Sequence, residues 1–317
     1  MSQQINPEKA ERTENAKQRA EELGLVVRQA GEVFTSVLPM RWGDLDAQGH
    51  VNNGVFLDYL QDGRLDFVLA GDVPDMLKGV VAVQHVIDYV APVHYSEEPL
   101  KVHIVMLDRG RARFVVGYVV TYAGRTVAMA RSVMTPFDLD TQRPRRLTEA
   151  EIAWFDRHRW QIEDPFAVLP GPALHGRGHH TRVLTRWSDI DRFHHVNNVR
   201  LFDFFQESRV GILAAAHPRA AHVGSRDGDE AAPVWVVARQ DVDYLAQVRW
   251  NRDPYVVTTA VTRLGTSSVM MASELTDPAS DEVLCRSRNV MVHCDHEGPA
   301  PIPDEVRAGL ERFVIEA

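Results

Sequence analysis

Two aspartates stand where they could do chemistry. Asp46 and Asp191 each fill the second acidic place of the pattern D-x-D-x-x-x-H-V-N-N, followed by His50, Asn52 and Asn53 in one case and by His195, Asn197 and Asn198 in the other. A carboxylate in such company can act on a carbonyl carbon as general base or as nucleophile, and the spacing leaves both roles open. A helix starting just after the pattern would aim backbone amides near His50 to Asn53 and His195 to Asn198, with the positive end of its dipole, at a developing oxyanion. The plain alternative for each aspartate is a helix cap, and the paired asparagines suit helix starts for the same reason. His50 and His195 either tune the carboxylate or fix the turn.

The pattern occurs twice because the chain repeats itself. Residues 41 to 64, RWGDLDAQGHVNNGVFLDYLQDGR, return 145 positions later as RWSDIDRFHHVNNVRLFDFFQESR, residues 186 to 209. Downstream, DYVAPVHYSEEP from Asp88 returns as DYLAQVRWNRDP from Asp243, now 155 positions later, so the second copy carries ten extra residues between the blocks. They fall in residues 214 to 233, rich in Ala, Gly, Pro and charge, which reads as a loop dispensable for folding.

The elements that must position these residues follow from periodicity. An extended segment leads to each HVNN, and a helix follows. Its apolar positions, Phe56, Leu57, Leu60, Leu65, Phe67 and Val68 or Leu201, Phe202, Phe205, Ile212 and Leu213, cover much of the circumference, which predicts a helix buried inside something. Alternation through Val102, Ile104 and Met106, then Phe114, Val116, Tyr118 and Val120, with turns at Gly110 and Gly124, predicts antiparallel strands. Each copy closes on a helix, one after Thr148, which has capping-box spacing to Glu151, and one after Pro303. The expected organisation is α+β, with a solvated helical extension at 1–30, one domain at 31–162, a Pro/Gly/His-rich linker at 163–180 and a second domain at 181–317.

Composition narrows the function classes. A formal charge of −9, from 35 basic and 44 acidic residues, argues against a nucleic-acid partner, and no apolar run approaches the ~18 residues of a membrane span. Cys285 and Cys294 form no CxxC pair and read as structural thiols. The polar start of the chain lacks the apolar stretch of a secretory signal, so a cytoplasmic location is expected.

The repeated D-x-D-x-x-x-H-V-N-N block before a central helix resembles the hot-dog-fold thioesterases of the 4-hydroxybenzoyl-CoA thioesterase type, and the second copy also resembles the acyl-carrier-protein thioesterases. The resemblance implies two tandem hot-dog domains, each an antiparallel sheet wrapped around a central helix and paired as an internal pseudo-dimer, with further homo-oligomerisation left open. It implies an acyl-CoA thioesterase of fatty acid metabolism whose catalytic carboxylates are Asp46 and Asp191, with coenzyme A entering only as part of the substrate and no other cofactor. Carrier-protein thioesterases place an Asn two residues after that Asp, where this chain has Gln48 and Phe193, and a Glu downstream, where the best match is Pro92 or Gln247. Acyl-carrier protein is therefore the second choice of substrate. Enoyl-CoA hydration and non-catalytic acyl-CoA sensing are the remaining alternatives.

Other residues take lesser roles. His50 and His195 join the catalytic set, and Asn52, Asn53, Asn197 and Asn198 the substrate-binding set. Arg109, Arg111 and Arg113 would put three cations on one strand face, either solvated or, through Arg109 and Arg111, touching the phosphates of coenzyme A. Asp44 and Asp189 read as structural ion-pair partners, whereas Asp62 and Glu207 would be acids in a buried helix, paired with Arg64 or Arg209 or forming a second acid pair. The cluster His175, His179, His180, His194 and His195 lacks a metal motif, so no metal is expected.

Overall fold

A computed structural model describes residues 14–18, 20–21, 25–163, 166–221 and 234–315. Contacts divide the chain into two compact units whose membership crosses the repeat. The first holds Met1–Arg41, Asp58–Val86 and Ser96–Ala167; the second holds Trp42–Leu57, Ile87–Tyr95 and Val168–Ala317.

The first unit begins with a helical stretch and a short strand β1 (Val27–Gln29), then β2 (Phe34–Leu38). Helix α1 (Val55–Ala70) and the single turn α2 (Asp75–Lys78) lead to β3 (Val80–Tyr89), and both α1 and β3 run across the unit boundary. Strands β4 (Leu100–Arg109), β5 (Phe114–Tyr122) and β6 (Arg125–Asp138) follow, then a hairpin strand β7 (Arg143–Pro144), helix α3 (Glu149–Arg157) and β8 (Gln161–Ile162), which pairs with β1. The sheet order is β2–β4–β5–β6–β3. Along β4 the predicted alternation holds: Leu100, Val102, Ile104 and Met106 are buried, while Lys101, His103, Val105 and Leu107 occupy the other face.

The second unit contains β9 (His179–Val183), helix α4 (Arg200–Ala216), β10 (Val234–Tyr244), β11 (Tyr255–Leu264), β12 (Ser268–Thr276), β13 (Val283–Cys294) and helix α5 (Asp304–Glu311). Its sheet order is β10–β13–β12–β11–β9, all antiparallel. The repeat reaches into fine detail. The β4–β5 ladder shifts register between Met106 and Asp108, and the β11–β12 ladder does so between Val261 and Arg263, at equivalent positions of the two copies.

Four expectations need correction. Helix α1 is not enclosed all round: Phe56, Leu57, Leu60 and Phe67 are buried, but Leu65 and Leu69 face outward, so its later turns are buried on one side only. The N-terminal stretch is not simply solvated, because Ala20 packs with Leu25 and Trp160. The segment within 163–180 is no free spacer either. Leu174 is fully buried against Ala260 and Ala272, the Leu169 amide donates to Asp241 Oδ2 at 2.7 Å, and β9 already starts at His179. Within 214–233, residues up to Ala216 finish α4 and Pro218–Ala221 form a 3-10 turn, whereas 222–233 lie outside the described residues.

The helices after Thr148 and Pro303 form as expected. Thr148 Oγ1 accepts from the Glu151 amide at 3.3 Å, and Glu151 Oε2 accepts from the Thr148 amide at 2.7 Å, completing the capping box. Both cysteines are free, and burial pushes the Cys285 thiol well up from its ordinary value.

Candidate active site

Both D-x-D blocks belong to the second unit. Each forms the same closed loop ahead of its helix. The Asp46 amide donates to the His50 carbonyl at 2.7 Å, and Asp46 Oδ1 accepts from the amides of Gln48 at 2.8 Å and His50 at 3.1 Å. In the second copy the Asp191 amide reaches the His195 carbonyl at 2.8 Å, and Asp191 Oδ1 accepts from Phe193 at 2.8 Å and His195 at 3.4 Å. The turn requires a left-handed residue, supplied by Gly49 at φ 76° and by His194 at φ 64°. His194 thus holds a backbone position that glycine fills in the first copy.

Neither aspartate caps its helix, since α1 starts at Val55 and α4 at Arg200. Each carboxylate is half-buried, and among the described residues only Oδ1 is engaged by the protein. Oδ2 is left to meet a water or a carbonyl carbon, which general-base and nucleophilic chemistry both require.

The expected oxyanion donors are mostly occupied. The amides of His50, Val51 and Asn52 donate to Asp46 Oδ1, the Val93 carbonyl and the Asp44 carbonyl, and those of His195, Val196 and Asn197 to Asp191 Oδ1, the Val248 carbonyl and the Asp189 carbonyl. The loop's own closure consumes them, with partners from Val93 and Val248 that lie far along the chain. In the first copy the Asn53 amide has no acceptor among the described residues, and Asn53 Nδ2 is buried without one. Asn52 and Asn197 serve the turn, their Oδ1 atoms accepting from the amides of Gly54 at 2.8 Å and Val199 at 3.2 Å.

The imidazoles differ between copies. His50 meets His94 edge-on at 4.7 Å between ring centres. The residue equivalent to His94 is Arg249, and burial first, then the charges of Arg249 and His194 against the opposing pull of Asp191, lower His195 from its ordinary value. This shift favours the neutral, proton-accepting form of His195.

Sequence reasoning missed a repeated support. Tyr89 donates to the Asn53 carbonyl at 2.7 Å and Tyr244 to the Asn198 carbonyl at 3.0 Å, each fixing the end of the HVNN run. Both sit in the repeated DY dipeptide, so the signal was present without its meaning. The two helix entrances also adjoin: a Cβ on Gly54 would lie 3.1 Å from Asp203 Oδ1.

Several candidate residues lie apart from this loop. Arg109 forms a bidentate pair with Asp156, at 2.6 and 2.5 Å, in the first unit. Strand β4 ends at Arg109 and residues 110 to 113 form the turn, so Arg109, Arg111 and Arg113 do not line one strand face. Asp189 accepts from the backbone amide of Arg186 at 2.7 Å, a local cap in place of the expected ion pair. Asp62 and Glu207 are exposed, while Arg64 donates to the Tyr118 hydroxyl and Arg209 to Gln240 Oε1, each at 3.0 Å. Burial lowers the Arg209 guanidinium to about 10. Among the described residues no three His, Cys, Asp or Glu side chains converge in a way that could hold a metal ion.

The thioesterase-like superfamily profile matches residues 40–155 and 185–310. Comparison with curated proteins finds no match. Among solved structures the chain is similar to a protein provisionally named an oleoyl thioesterase from Lactobacillus plantarum, at TM-score 0.64 and 14% identity over 84% of this chain and 98% of that one. It is also similar to the 12:0-ACP thioesterase from Umbellularia californica, at TM-score 0.61 and 13% identity over 82% and 97%. An acyl-ACP thioesterase from Bacteroides thetaiotaomicron matches at TM-score 0.59 and 15% identity over 82% and 97%. At such identities these likenesses show the fold, and the profile shows the family. The chain belongs to the thioesterase-like superfamily and is a thioester hydrolase of two tandem hot-dog domains.

Proposed function

We propose that the chain hydrolyses an acyl-CoA to a free carboxylic acid and coenzyme A, without a metal or other cofactor, using Asp46 and Asp191 as general base or nucleophile. One observation carries this reading. Twice in the chain an identically closed loop pins one oxygen of a half-buried aspartate with two backbone amides and leaves the other open. A purely structural aspartate has no need of that second oxygen. In the first copy the Asn53 amide and carboxamide are the donors available for an oxyanion. In the second, His195 favours its neutral form and can take up the proton released by the attacking water and pass it to the leaving thiolate. The alternative substrate, acyl-carrier protein, draws support from the names of two similar structures; Gln48 and Phe193 after the aspartates favour coenzyme A.

The test is a hydrolysis screen over acyl-CoA and acyl-carrier substrates, run in EDTA. Asp46→Asn and Asp191→Asn should each retain part of the turnover, and the double variant should lose at least ~100-fold, the scale of a lost acid-base group. If either single change abolished activity on every substrate, the two-site reading would fail and one copy would be a structural partner.

A further inference from the structure

The first unit contains a cavity of about 610 Å³ on the face of its sheet opposite α1. Its floor is the outward row of β4, and its cover is the N-terminal helical stretch with Leu25 and Trp160. The volume falls within the roughly 300–1,000 Å³ usual for small-molecule sites.

The duplication shows that this space is not forced by the fold. In the second unit Leu174 fills the equivalent place, packing on Ala260 and Ala272, and its amide donates to Glu274 Oε2 at 3.2 Å. The positions 155 residues earlier are Val105 and Gly117, and in the first unit both line the cavity.

The lining is graded in polarity. Along β4 the outward residues are Lys101, His103, Val105 and Leu107, which at ~3.3 Å per residue span roughly 20 Å. The Lys101 end is polar: His103 lies between the hydroxyls of Thr35 and Thr121, 3.0 Å from each, and Glu98 shares the rim. The Leu107 end is apolar and bounded by Trp160, whose amide donates to the Met106 carbonyl, while Val119, opposite His103, and Met129, paired with Val119, make the middle of the slot apolar. A cation at one end of an apolar slot fits an aliphatic chain that carries one negative charge.

We propose that this cavity is a second ligand site that takes an aliphatic monocarboxylate, with its carboxylate at Lys101 and its chain along Val105 to Leu107. That the ligand is the enzyme's own product class rests on the function proposed above. A free acid bound away from the aspartate loops would make the protein sense the product it releases.

Isothermal titration of the full chain with dodecanoate tests it. Parent protein should bind dodecanoate, with affinity falling about fourfold per methylene removed through decanoate to octanoate. Filling the slot by Val119→Trp or, more mildly, Met129→Phe should abolish that binding while hydrolysis of a short acyl-CoA continues. Lys101→Met should weaken binding and Glu98→Gln should tighten it. Thermal melts identify which variants fold. Folded Val119→Trp or Met129→Phe protein that binds dodecanoate like the parent would overturn the site, as would unchanged affinity in both rim variants. Dodecanoate binding in a protein that hydrolyses no thioester would instead sink the product assignment and leave the site standing.

Discussion

His85 and Gln240 occupy the same place in the two copies, and they show how one residue sets a pH response. His85 is 1% exposed and lies 2.7 Å from the Ser132 hydroxyl; Gln240 donates to the equivalent Ser287 at 3.3 Å. Burial, with help from the nearby Arg64 charge, holds His85 well below the ordinary histidine value. In the unfolded chain that imidazole takes a proton near pH ~6.5. Below that pH the unfolded state binds one more proton than the folded state, so stability falls as pH falls, by up to ~1.4 kcal/mol per unit. His179 and His195 are shifted the same way and add to the slope. His85→Gln should therefore leave the melting temperature at pH 7.5 within a few degrees and make its fall toward pH 5 shallower than in the parent. An unchanged acid slope would contradict a neutral buried His85. At this scale the sequence revealed residue types and their repetition, including Asp46 and Asp191. It did not reveal that the His50, Val51 and Asn52 amides are already bound, because two of their acceptors, Val93 and Asp44, become neighbours only through the fold.

Helix α5 is held to the end of α4 by a close approach. A Cβ on Gly309 would lie 2.1 Å from the Ala216 carbonyl oxygen, and Arg312 donates to the carbonyls of Ala215 at 2.6 Å and Ala216 at 3.3 Å. Glycine is needed here for space; the arginine satisfies carbonyls that the helix end leaves open. Behind this contact lie Ile212, Leu213, Val306 and Leu310. Gly309→Ala should push the helices apart and cost about 1–3 kcal/mol in a urea titration, the range for overpacking. A loss below ~0.5 kcal/mol would show that α5 can shift at little cost. Both closing helices were legible in the sequence, the first from the capping-box spacing of Thr148 and Glu151. The outward turn of Leu65 was not, because an apolar residue on a helix says nothing of where its neighbours end.

Across the whole molecule, repeat and packing follow different boundaries. Residues 42 to 57 and 87 to 95 come from the first copy yet belong to the second unit, where Ile87 and Val93 are almost wholly buried. Sequence order shows a duplication but not which segments pack together. A chain cut after Ala167 should therefore yield a C-terminal fragment that lacks part of its own core. Alone, residues 168 to 317 should show no cooperative melt by circular dichroism, and mixing with residues 1 to 167 should restore one. A sharp melt of the isolated fragment near the parent temperature would mean the missing segments are dispensable.

For a lineage this interleaving works as a ratchet. Recombination that deletes the first repeat strips packing from the second unit, and deletion of the second leaves residues 42 to 57 and 87 to 95 without the unit they belong to, so the doubled gene has no easy way back to a single copy. Once reversal is closed, the two aspartate loops are free to drift apart in chemistry, as Gly49 against His194 and Gln48 against Phe193 already have.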